Sequence, residues 1–217
     1  MDRSTVTSII QEPVSSPAGA IVLTHGRGAD ADDLEPLLGL LDPDRRLLAV
    51  FPRGPLLLPP GGRHWYIVRR VGFPDPGTFL PTFAELAEHV DTLLADRGIS
   101  PERTVLGGFS QGAVMSYGLA LGAGRPSPAA VLAFSGFIPS IEGFDIALEG
   151  RQGLPASISH GTLDPVIEVG FGRAARDRLQ AAGLDVRYRE DPVGHTIAPG
   201  AVAQARATLE EALAKAS

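Results

Sequence analysis

Apolar and polar residues follow two alternating rhythms along this chain. Short, almost wholly apolar runs occur at "AIVLTHG" (20–26), "RLLAVFP" (46–52), "RTVLGGF" (103–109), "AVLAFSG" (130–136) and "PASISHG" (155–161). Strands buried on both faces look like this, because neither face can carry a row of polar side chains. A sixth run, "DVRYRE" (185–190), is more polar. Between the runs lie helix candidates at roughly 31–41, 79–97, 111–122, 168–182 and 199–215. In the second of these, Phe79, Phe83, Leu86, Val90, Leu93 and Leu94 form one stripe, the mark of a helix with a core-facing side. Strands alternating with helices predict an α/β fold, a mostly parallel central sheet flanked by helices on both faces. Residues 1–17 are expected to add one or two antiparallel edge strands. Residues 51–79, rich in Pro and Gly, read as one long irregular segment, and loops of that length usually serve a function.

Composition narrows the picture without redirecting it. The 217 residues suit one domain, 1–217, with no repeat and no linker. The chain is 44% hydrophobic and 20% charged, with a net charge of −6 and no basic block. That balance argues against nucleic acid or an anionic membrane as partner. The absence of cysteine excludes disulfides, a thiolate nucleophile and Cys-based metal sites. No apolar run approaches the ~20 residues of a membrane span, and "MDRSTVTSIIQEP" does not read as a signal peptide, so a cytoplasmic location and no stable membrane insertion are expected. A homodimer that hides apolar rim residues is compatible with the composition, which does not demand one.

The chemistry begins at "GGFSQG", where a strand meets a helix. In a parallel sheet, ligands bind beyond the carboxyl ends of the strands. Ser110 lies at such an end, and flanking Gly108 and Gly112 suit a turn too tight for Cβ atoms. The bland alternative is a glycine-softened turn with a capping serine. A serine hydroxyl needs a positioned base to act as nucleophile. "DPVGHTIAPG" offers His195 just past the last strand, and "SISHGTLDPVIE" offers Asp164 after the preceding one. Taken singly, each is as readily a capping or turn residue. Together they fall in the order Ser, Asp, His, each directly after a strand, which is the order of the α/β-hydrolase triad. The anion formed on attack needs two N–H donors. The amide of Gln111, next to the nucleophile, and the amide of Arg27, in the early loop "LTHGRGAD", are placed to supply them. The Arg27 side chain is incidental to that role, though it is placed to rim the pocket.

These stretches resemble the phospholipase/carboxylesterase group of α/β-hydrolases, which includes the acyl-protein thioesterases. The matching motifs are "LTHGRGAD", "GGFSQGAVMSYGLAL", "AVLAFSGFIP", "SISHGTLDPVI" and "GHTI", spanning residues 20–197 in the family's order. The resemblance implies Ser110 as nucleophile, Asp164 and His195 as its triad partners, Arg27 and Gln111 as oxyanion amides, and no cofactor. Two departures touch the pocket rather than the triad. Trp65-Tyr66-Ile67 lacks the acid that often follows the two aromatics, and Ile167-Glu168 stands where several members have a proline.

The intervals between Ser110, Asp164 and His195 are mostly consumed by strands and helices, which excludes a large cap domain. The acyl pocket is therefore expected from Leu56, Leu57, Leu58, Trp65, Tyr66 and Phe137, unless these merely plug the edge of the core. Arg63, Arg69 and Arg70 either greet an acidic group or form a solvated rim. His25 and His160 read as structural, since no His-x-x-x-His pair or acidic cluster supports a metal. His64 is placed beside the pocket and His89 on a helix surface. The expected function is a serine carboxylesterase for small or exposed esters. The alternatives are a thioesterase or lysophospholipase of the same family, or a non-catalytic ligand-binding member of the fold.

Overall fold

The computed structural model describes residues 3–215. In chain order the strands are β1 (Thr7–Gln11), β2 (Gly19–Thr24), β3 (Leu47–Arg53), β4 (Leu56–Leu58), β5 (Gly62–His64), β6 (Val68–Arg70), β7 (Phe73–Pro74), β8 (Thr104–Phe109), β9 (Ala130–Phe134), β10 (Pro155–Gly161) and β11 (Asp185–Asp191). The helices are α1 (Glu35–Leu41), α2 (Pro76–Asp96), α3 (Gln111–Leu121), α4 (Val169–Ala181) and α5 (Pro199–Lys215). A short 3-10 turn, Ala31–Leu34, leads into α1. Seven strands form one sheet in the order β1-β3-β2-β8-β9-β10-β11. All neighbours are parallel except β1, which runs antiparallel to β3 at the edge. The N-terminal residues thus supply one edge strand of the one or two expected.

The sheet is covered on both faces, as the double-sided hydrophobicity of its strands requires. On one side Ala20, Val22, Leu48, Val50, Leu106, Val131 and Ile158 pack against α2, α3 and α4. The alternate residues Ile21, Leu23, Ala49, Phe51, Val105, Leu132 and Phe134 meet α1 and α5. The period of two along each strand decides which residue faces which helix layer. Helix α3 is buried at every position from Gln111 to Leu121. It is accordingly apolar or small all round, rather than striped.

Helix α2 starts three residues earlier than its apolar stripe suggests. Pro76 occupies the first helical position, and the Asp75 carboxylate accepts the amide of Thr78 at 3.1 Å. Residues 51–79 are not one irregular segment. After β3 they form two antiparallel hairpins, β4–β5 and β6–β7. The first is fastened to the loop after β2. The Gly28 amide donates to the Arg63 carbonyl at 2.8 Å, and the Arg63 amide to that of Ala29 at 2.9 Å. A Cβ on Gly62 would stand 2.2 Å from the Gly28 carbonyl oxygen, so the two backbones approach as only glycine allows. Among the described residues no helix is long and apolar enough to cross a membrane.

Candidate active site

At the carboxyl end of β8 the chain turns straight into α3. Ser110 sits on the corner with φ 55° and ψ −119°. That left-handed conformation costs a non-glycine residue roughly 1–3 kcal/mol and persists only where surrounding packing enforces it. Here the end of β2 does so. A Cβ on Gly112 would lie 1.9 Å from the Thr24 carbonyl oxygen, and one on Gly108 would lie 2.4 Å from Thr24 Oγ1. Thr24 Oγ1 donates to the Gly112 carbonyl at 2.8 Å, and Ser116 Oγ to that of Gly107 at 2.7 Å. The Ser110 amide is held by the Phe134 carbonyl at 2.8 Å. The hydroxyl therefore projects above the sheet edge, at the N-terminus of a buried helix whose dipole favours negative charge there.

Two later loops reach the same point. Asp164 follows β10 and is 8% exposed; His195 follows β11. Asp164 Oδ2 lies 2.6 Å from His195 Nδ1, and His195 Nε2 lies 2.8 Å from Ser110 Oγ. A carboxylate only accepts, so the imidazole proton resides on Nδ1 and Nε2 accepts from the serine hydroxyl. Asp164 also does the turn work that its Asp-Pro setting suggests. Its Oδ1 accepts the amides of Val166 and Ile167 at 2.8 and 2.9 Å. Burial by itself would raise this carboxyl, but the bonds from His195, Ile167 and Val166 together outweigh it and hold Asp164 below its ordinary value. His160 steadies the same loop, its Nε2–H donating to the Ile167 carbonyl at 2.8 Å.

The loop carrying Arg27 is held just as firmly. His25 Nδ1–H donates to the Gly26 carbonyl at 2.7 Å, while its Nε2 accepts the Gly54 amide at 3.0 Å. Its backbone carbonyl receives the Trp65 indole N–H at 2.9 Å. Among the described residues the amides of Arg27 and Gln111 donate to no other group of the chain. The Gln111 side chain ties the corner to the opposite wall. Its Oε1 accepts the Trp65 amide at 2.7 Å and its Nε2 donates to the Tyr66 carbonyl at 2.8 Å.

A hollow of about 300 Å³ opens above Ser110. Tyr66 and Phe137 line it, with Arg27, Val68, Arg70, Val71, Gln111, Val166 and Ile167. Leu57 and Leu58 line an adjoining hollow, which shares Arg27 and Val68 with the first and also includes His64. Leu56 and Trp65 line neither. Both are core residues, Trp65 at 0% exposure, and their expected place in the pocket wall is corrected. Trp65 acts one step back, through its hydrogen bonds to the His25 carbonyl and Gln111. The Arg27 side chain, incidental to the amide's role, does rim the hollow. Val166 escaped the sequence reading and Ile167 entered it only as a departure from the family's pattern, although both lie within three residues of Asp164 and any loop that delivers that carboxylate must bring them along. His89 is half-buried rather than on a free surface, with Ser8 Oγ 2.7 Å from its Nε2. Among the described residues no cluster of His, Asp and Glu is arranged to hold a metal ion.

Comparison with known proteins agrees with this architecture. The family model described as phospholipase/carboxylesterase matches residues 6–213. Acyl-protein thioesterase 1 of Debaryomyces hansenii is 28% identical over 182 residues, 76% of each chain. Among solved structures, esterase PE8 superposes with a TM-score of 0.80 at 29% identity, over 96% of this chain and 99% of that one. The Bacillus cereus carboxylesterase superposes at 0.82, over 95% and 94% of the two chains, and at 21% identity it speaks for the fold alone. With its doubly covered, mostly parallel sheet and no large cap, the chain belongs to the phospholipase/carboxylesterase family of α/β-hydrolases and is a serine hydrolase.

Proposed function

We propose that this protein is a carboxylesterase that cleaves small or exposed esters through an acyl-enzyme on Ser110, within one α/β-hydrolase domain. The observation that carries the reading is the unbroken hydrogen-bonded chain that runs from Ser110, in the wall of an open hollow, through His195 to Asp164. In the first half-reaction Ser110 Oγ bonds to the ester carbonyl carbon while His195 Nε2 takes its proton. The carbonyl oxygen becomes an anion, to which the Arg27 and Gln111 amides donate. As the carbon–oxygen bond to the alcohol breaks, the alcohol leaves with the proton from His195. Water then repeats the sequence on the acyl-enzyme, releasing the acid and restoring Ser110. Asp164 keeps the imidazole in the required tautomer and stabilises its charged form. No step needs a cofactor.

The hollow's volume, about 300 Å³, sits at the lower end of ordinary ligand sites and supports a short acyl group over a long lipid chain. A fluorophosphonate probe should label the wild type at Ser110, and labelling should vanish in Ser110→Ala. On a short p-nitrophenyl ester that variant should lose about 10⁶-fold in kcat, and Asp164→Asn about 10⁴-fold. A folded wild type that neither takes the probe nor hydrolyses the ester would refute the proposal. Parallel assays with acyl-CoA and lysophospholipid decide whether thioester or lysophospholipid cleavage accompanies it. The remaining expectations, action on a free small molecule and no nucleic-acid partner, belong to the same reading.

A further inference from the structure

The hollow above Ser110 carries a charge pattern that ester hydrolysis as such does not use. Arg27 and Arg70 both line it, and no Asp or Glu does. The adjoining hollow holds no carboxylate either. Other arginines nearby are neutralised. Arg53 and Arg63 share Asp30, at 2.7 and 3.7 Å, and Arg69 sits 3.0 Å from Asp75. Among the described residues Arg27 and Arg70 make no ion pair. The Arg70 guanidinium lies 3.6 Å from the centroid of the Phe73 ring, a stacking that holds it on the rim without cancelling its charge. Two unpaired cations on one concavity repel each other, whereas an anionic ligand there gains from both. In a chain of net charge −6, this local excess of positive charge runs against the overall balance.

The second observation fixes which part of the ester meets them. His195 does not line this hollow. It borders a separate one, together with Leu37, Leu40, Phe109 and Ile197. As the acid that returns a proton to the leaving group, His195 marks the alcohol's side. The acyl group then extends away from it, toward Arg27 and Arg70.

We propose that the preferred substrates are half-esters of short dicarboxylic acids, whose free carboxylate is held by Arg27 and Arg70 while the ester carbonyl faces Ser110. This inference rests on the serine-esterase reading and adds the substrate class to it.

The test compares monomethyl glutarate with methyl 5-methylhexanoate, which has the same shape but ends in an isopropyl group in place of the carboxylate. At low ionic strength, wild-type kcat/KM should favour the charged ester by at least about tenfold, the scale of one charge-assisted hydrogen bond, and added salt should shrink the ratio. The ratio should fall toward unity in Arg70→Gln and Arg27→Gln, survive in Arg70→Lys and drop below one in Arg70→Glu. 4-Acetoxybutanoate, with its carboxylate on the alcohol, should show no such advantage; if it does, the acyl-side placement is wrong. Binding of monomethyl glutarate to Ser110→Ala, followed by calorimetry, reads the anion site without turnover and should weaken in Ser110→Ala/Arg70→Gln. If the neutral ester is cleaved and Ser110 takes the probe but no charge preference appears, this inference alone falls. Failure of both esters and of the probe would instead remove the esterase reading beneath it.

Discussion

His25 shows how one side chain links the early loop to its surroundings. Both ring nitrogens are committed, Nδ1 as donor and Nε2 as acceptor from the Gly54 amide. A proton on Nε2 would face that N–H head on. Burial therefore holds His25 below its ordinary value, against the smaller opposing pull of the Gly26 carbonyl. His160 is lowered for the same first reason, burial, opposed by the Ile167 carbonyl. A histidine depressed in the folded state is neutral in both states above 6.5, the reference value, so stability there is unaffected. Below it the unfolded chain takes up protons that the native one refuses, and stability is lost as pH falls toward the folded-state values. Thermal midpoints should thus be flat above pH 6.5 and decline below it, and His25→Ala, less stable at pH 7, should decline less steeply. A variant melting curve with the wild-type pH slope would show that His25 contributes nothing to it. Ser110 was legible as candidate nucleophile only in conjunction, because a glycine-flanked strand-to-helix corner also suits a capping serine, whereas Ser110, Asp164 and His195 each following a strand in that order does not arise from turns alone. That Gln111 matters through its side chain as well as its amide was not legible, since both its partners lie about 45 residues away in the chain.

At the scale of elements, the strands and helices appeared largely where the hydrophobic rhythm placed them. Helix α3 and strands β8, β9 and β10 are almost wholly buried, and their nearly unbroken runs of apolar and small residues marked them in the sequence. The hairpins β4–β5 and β6–β7 were invisible because they are two or three residues a side and owe their existence to what they lean on. The first is tied to the Arg27 loop by backbone bonds, and the turn after it to α3 by the Gln111 side-chain carboxamide. Gln111→Leu tests this coupling. It leaves the Trp65 N–H and the Tyr66 carbonyl without their partner at a buried site, a loss of roughly 1–3 kcal/mol in stability. Because the backbone amide of residue 111 remains, KM for a short ester should rise more than kcat falls. An unchanged KM with reduced kcat would place the role of Gln111 in the chemistry instead.

Across the whole molecule, the order β1-β3-β2-β8-β9-β10-β11 puts the β8 corner at the centre of the sheet and the polar strand β11 at its edge. Strand β11 carries Arg187, Arg189 and Glu190 along its length, a composition that discourages pairing with another chain. Opening free energies should follow the same gradient. Native-state hydrogen exchange is expected to be slowest in β2, β8, β9 and α3, close to the global limit, and faster by orders of magnitude in β1. Exchange in β8 as fast as in β1 would contradict the picture of a rigid centre holding Ser110 in its strained conformation.

By itself the sequence determined the class of fold and the order of the main strands and helices, and it pointed to Ser110, Asp164 and His195 as candidates for a hydrolytic site at the strand ends. Each depends on local periodicity or on a short motif, and local patterns hold without knowledge of distant partners. Only the tertiary structure decided that Trp65 and Leu56 support the wall from behind, that Val166 and Ile167 join it, and that Arg27 and Arg70 face the hollow without a carboxylate between them. Those outcomes turn on which residues far apart in the chain meet in space, and on which acid reaches which arginine first. Even where such partners are near in sequence, as Arg69 and Asp75 are, the local pattern does not say which of them meet.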